Sequence, residues 1–68
     1  MIERKIAEKF LGKIVGIVRR DNGRQVFCRG RLIEVTDTAI ILEYYDTIQA
    51  VSLEALDNIR ELKNAPGR

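Results

Sequence analysis

Apolar residues recur along this chain with two different periods. In residues 1–11, Ile2, Ile6 and Phe10 are spaced by four, Ala7 and Leu11 share the adjoining flank, and Glu3, Arg4, Lys5, Glu8 and Lys9 fall elsewhere on the wheel. That period predicts an amphipathic helix over 1–11 that stops at Gly12 and is too short to persist in water unless it docks. From Lys13 to Arg20 the chain turns to Ile and Val, whose branched Cβ suits a pleated surface, so a first strand is expected there. Asp21-Asn22-Gly23 then offers the positive-φ residues of a tight hairpin.

A second strand is predicted over 24–35. Val26, Cys28, Gly30 and Leu32 alternate with Phe27, Arg29, Arg31 and Ile33, and Gly30 in the middle marks a bend or a close backbone approach. Thr36-Asp37-Thr38 reads as a turn, 39–45 as a third strand, Asp46-Thr47 as a tight connection and 48–53 as a fourth strand. Residues 54–58 form a short link with room for one helical turn, and 59–62 a fifth strand. The fold class expected is mainly β: a short N-terminal α-helix followed by a five-stranded, strongly bent antiparallel SH3-like barrel. One domain covers 1–63, with the helix over 1–11, the barrel over 13–62 and a flexible tail over 64–68. The barrel is expected to close without the helix.

Length and composition narrow the function. At 68 residues the chain holds one small domain, which buries only about 60% of its unfolded surface and gains from oligomerisation. Cys28 is the single cysteine and histidine is absent, so no internal disulfide, zinc set or imidazole relay is available. Ser52 is the only serine, and the acids are scattered among the basic residues. These features exclude the common hydrolytic arrangements, and neither an enzyme nor a cofactor is expected. A reducing, cytoplasmic setting follows from the cysteine usage. The charged start has no secretory character, and no apolar run approaches the ~20 residues of a membrane span.

Charge is uneven: residues 1–31 carry nine Lys or Arg against three acids, and residues 32–68 carry three against seven. Such asymmetry fits an anionic partner, equally fits attraction between subunits, and is also what an ordinary mixed surface shows. Arg29 and Arg31, with Arg19, Arg20 and Arg24 nearby, form a candidate phosphate-contacting patch. Pairing with Glu34 or Glu43 is the structural alternative, since guanidinium serves both. Tyr44 and Tyr45 offer rings for base stacking, although neighbours on a strand should point to opposite faces. Thr36, Asp37 and Thr38 can donate to or accept from RNA, as can Asp57 and Asn58, and turn formation accounts for the same residue types. Cys28 is expected inside as a small hydrophobe.

Residues 13–62 resemble the Sm and Sm-like (LSm) family, Hfq-like proteins included. The Asp21-Asn22-Gly23 hairpin, the Cys28-Arg29-Gly30-Arg31-Leu32 segment and the Asp57-Asn58-Ile59 lead into the last strand carry the likeness. The resemblance implies a closed homo-oligomeric ring of six or seven subunits in which strand four of one subunit pairs with strand five of the next. It also implies pore-facing loops that bind single-stranded RNA, so a non-catalytic RNA scaffold or chaperone is expected, with protein assembly alone as the alternative. The subunit interface is expected to centre on Ile48, Ala50, Val51, Ile59 and Leu62. Where the family pattern places Asp, a stacking residue and Asn after strand two, this chain aligned without a gap has Thr36, Thr38 and Ile40. Ala55-Leu56 stands where the pattern has Arg-Gly. Weak base selectivity is the consequence.

Overall fold

A computed structural model describes residues 1–62 and shows a mainly β chain. The elements are α1 (Arg4–Glu8), β1 (Ile14–Asp21), β2 (Arg24–Val35), β3 (Ala39–Tyr44), β4 (Thr47–Ser52), a 3₁₀ turn (Leu53–Ala55) and β5 (Leu56–Glu61). The expected tail over 64–68 lies outside the described residues. α1 is shorter than the apolar period predicts, because beyond Glu8 the amides of Lys9, Phe10 and Leu11 bond three residues back. Gly12, at φ +82°, then turns the chain so that its N–H donates to the Leu32 carbonyl at 2.8 Å.

The strands form one antiparallel sheet in the order β4-β3-β2-β1-β5. β2 serves two ladders: it pairs with β1 over Arg24–Arg31, and with β3 over Arg31–Val35 across an irregularity between Leu32 and Glu34. The sheet does not close, since among the described residues no ladder joins β4 to β5. The barrel expected to close within one chain is therefore an open sheet with two edges. Asn22 and Gly23 both have positive φ in the two-residue β1–β2 turn, as the Asn-Gly pair requires. β5 begins earlier than its apolar pattern suggests, because Leu56 pairs with Arg19 and Asp57 is an extra residue in that ladder.

One face of the sheet holds the core. Val15, Ile17, Leu32, Ile40, Leu42 and Leu56 are fully buried, with Val51, Leu53 and Ile59 beside them. Ala7 of α1 is also fully buried, and Ile2 and Phe10 pack at the rim, so the helix is part of the core rather than an appendage. Gly30 is where β2 and β3 approach: a Cβ there would stand 2.7 Å from the Glu43 carbonyl oxygen. No described helix is long and apolar enough to cross a membrane.

Candidate nucleic-acid interface

Strand alternation settles the placement of the arginines. Opposite the core-facing Cys28, Gly30 and Leu32, the outward positions of β2 are Phe27, Arg29 and Arg31, all exposed. Arg31 donates from Nη1 to the Gly12 carbonyl at 3.0 Å. Arg29 reaches Tyr44, with Nη2 3.5 Å from the hydroxyl and the guanidinium carbon 5.8 Å from the ring centroid. Among the described residues neither forms an ion pair; Glu43 lies opposite Arg31 in the ladder, yet the expected carboxylate pairing is not made. Arg60 of β5 falls in register with Gly16 and Arg29, so two guanidinium-bearing strands flank a residue without a side chain.

The five-arginine patch read from the sequence is divided. Arg20 donates to Asp57 at 2.5 Å, and Arg19 has a buried Nε without an acceptor among the described residues. Arg24 stands at the exposed β1–β2 turn. Asp57 also accepts from Gln25 at 3.4 Å, and the Arg20 bond, reinforced by Gln25, holds its carboxyl below the usual carboxylate range. Arg20 is reciprocally held more basic than usual by that bond.

The Thr36–Thr38 turn and the 3₁₀ turn (Leu53–Ala55) meet at one end of the sheet. Thr36 Oγ1 accepts from the amides of Thr38 and Ala39 at 3.3 and 3.0 Å and donates to the Ala39 carbonyl at 3.1 Å, a local turn that uses the hydroxyl fully. The Thr38 carbonyl accepts from Leu53 N–H at 2.9 Å, and the Leu53 carbonyl from Ile2 N–H at 3.2 Å. Asp37 is paired with Arg4, which also meets Glu8 at 3.3 Å. A cavity of about 490 Å³ lies among Ile2, Arg4, Asp37, Thr38 and Leu53. Asn58 is exposed on β5 beside Val18. Among the described residues no hydrogen bond joins these loops to Arg29 or Arg31.

Tyr44 and Tyr45 do not point to opposite faces. Tyr45 leaves the strand at φ +55°, the first residue of the two-residue β3–β4 turn, and the rings lie 4.5 Å apart at 57°. Beside them is a cleft of about 440 Å³ lined by Phe27, Cys28, Arg29, Tyr44 and Gln49. Phe27 and Gln49 were not singled out by sequence reasoning. Phe27 could have been found as an aromatic at an outward position two residues from Arg29; it is 55% exposed, and its ring would sit 3.0 Å from a Cβ on Gly16. Gln49 has no such signal, because its place depends on how β3 and β4 turn beside β2.

The expected interface residues divide as well. Val51 and Ile59, 4% and 8% exposed, belong to the core of the single chain, whereas Ile48 is 62% exposed and Ala50 is exposed beside it on β4. Leu62 is half-buried, with its side chain close to Gly16. No family model, curated protein or solved structure matches this chain.

Proposed function

We propose that this chain is a non-catalytic, Sm-like subunit that assembles with copies of itself and holds single-stranded RNA as a scaffold or chaperone in the cytoplasm. The observation that carries this reading is the pair of open edges. β4, Thr-Ile-Gln-Ala-Val-Ser, has neither a charge nor a proline, the usual guards of an edge strand, and it displays Ile48 to solvent. β5, at the other edge, bears Asp57, Arg60 and Glu61. Pairing β4 of one copy with β5 of the next satisfies both rows of backbone groups, and such a head-to-tail contact forms a ring when its rotation closes. The RNA half of the reading rests on Arg29, Arg31 and Arg60, which lack carboxylate partners among the described residues and are exposed on the outward face.

The test couples a mass measurement of the full chain with binding of short uridine-rich and adenine-rich RNAs. The expected result is a multimer whose RNA affinity falls steeply between about 50 and 200 mM salt as counterion release loses its value. A monomer at micromolar concentration removes the assembly reading. A second reading, assembly through protein contacts alone, is favoured by the pairing of Asp37 with Arg4 and of Asp57 with Arg20, which occupies two expected RNA ligands. A multimer that binds no RNA at low salt selects it.

A further inference from the structure

The β3–β4 turn carries an aromatic residue where the backbone asks for glycine. Tyr45 is held at φ +55° and is 74% exposed, so a bulky ring occupies a left-handed position without gaining burial in return. Strain of this kind at a solvent-facing aromatic points to a role for the ring outside the fold. Its surroundings supply the rest of a site. Tyr44 lies against it, Arg29 sits over the Tyr44 ring, and the adjoining cleft of about 440 Å³ is walled by Phe27, Cys28 and Gln49. Among the described residues Arg29 is the single charged side chain in that lining, and it is a cation.

We infer that Tyr45, with Tyr44, Phe27 and Arg29, forms a stacking site for one nucleobase of a single strand, with the Arg29 guanidinium taking the adjacent phosphate. This rests on the RNA reading above and places one contact of it. Aromatic faces accept any base, which suits a chain without base-selective ligands in its loops, and the Gln49 amide adds one donor and one acceptor at the wall. A cationic ligand is disfavoured by Arg29, and among the described residues the lining offers no carboxylate to hold one.

The chain has two tyrosines and no tryptophan, so all of its tyrosine emission arises at this site. The full chain is titrated at low salt with fluorescently labelled uridine-rich and adenine-rich oligomers, and with an abasic sugar-phosphate oligomer of equal length, following label anisotropy and tyrosine emission together. Base-bearing oligomers should quench the emission in step with the anisotropy, and the abasic one should bind more weakly without quenching. Tyr45→Asn tolerates the left-handed backbone and removes the ring; it should lower affinity about tenfold and leave the salt slope unchanged. Arg29→Gln should reduce that slope by about one. RNA that binds without quenching, or binds Tyr45→Asn as tightly as the parent, overturns this site and leaves the RNA reading standing. No anisotropy change with any oligomer overturns both, and quenching by a proline-rich peptide in place of RNA gives the cleft to an extended protein partner.

Discussion

Three residues show how much of this molecule is decided one position at a time. Gly30 sits where β2 and β3 nearly touch, and any Cβ would collide with the backbone carbonyl of Glu43 rather than with a side chain able to swing away. Gly30→Val should therefore cost about 3 kcal/mol, the upper part of the range for overpacking, read as a lower denaturation midpoint at unchanged m-value. Tyr45 is the opposite case. Relief of its positive φ by Tyr45→Asn should raise stability by about 1 kcal/mol, or about 4–8 °C in Tm, while RNA affinity falls; stability and binding moving apart is the mark of strain kept for function. Asp57 adds a pH term. Its native carboxyl titrates below its unfolded value because Arg20 donates to the ionised form. Its stabilisation is thus complete above the ordinary carboxylate range and lost as pH falls through the depressed native value. Asp57→Asn should flatten the acid limb of the stability curve, measured by urea unfolding at a series of pH values, and an unchanged limb would refute the pairing.

At the level of elements, local signals and long-range contacts have separate consequences. The β1–β2 hairpin forms where Asn22-Gly23 meets the twist of the strands, and nothing beyond four residues is needed to explain it. β3–β4 has no comparable pair, and its turn falls on Tyr45-Asp46 because the ladder from Ala39↔Ser52 to Tyr44↔Thr47 leaves those two residues over. The helix is the element whose importance the sequence understates. With the sheet open, α1 covers core that a closed barrel would cover by itself, and Ala7 is wholly enclosed. Ala7→Asp should lower stability by about 3 kcal/mol by burying an unpaired carboxylate, and deletion of residues 1–11 should be at least as damaging. Thermal unfolding of both variants followed by circular dichroism checks this; a deletion that melts with the parent would show that the sheet sustains its own core.

For the whole molecule the question is what meets the two sheet edges. The sequence places Ile48 and Ile59 in one expected interface, and their burial separates them. Ile48→Lys places a charge on the exposed face of β4 and should dissociate the assembly while each chain stays folded. Ile59→Lys places it in the core and should unfold the chain. Light scattering and circular dichroism on the two variants distinguish these outcomes, and an Ile48→Lys protein of undiminished mass would show that this part of β4 is not at the contact.

Hydrophobic period, glycine placement and turn chemistry by themselves determined an N-terminal helix, the number of strands, the first hairpin, the inward face of β2 and a special role for Gly30 in its middle. All of these are local, because alternation and positive φ are properties of a few consecutive residues. That these 68 residues hold no histidine and a single cysteine was also legible, since composition alone decides it. Only the tertiary structure decided that the sheet stays open, that Val51 and Ile59 face the core, and that Arg29 leans on Tyr44. It also decided that Asp37 and Asp57 are taken up by Arg4 and Arg20, partners 33 and 37 residues away. A carboxylate's fate depends on which cation the fold brings beside it, and a cleft on where two strands part. Neither depends on a spacing along the chain, so the candidate stacking site around Tyr45 could not be read from the two adjacent tyrosines alone.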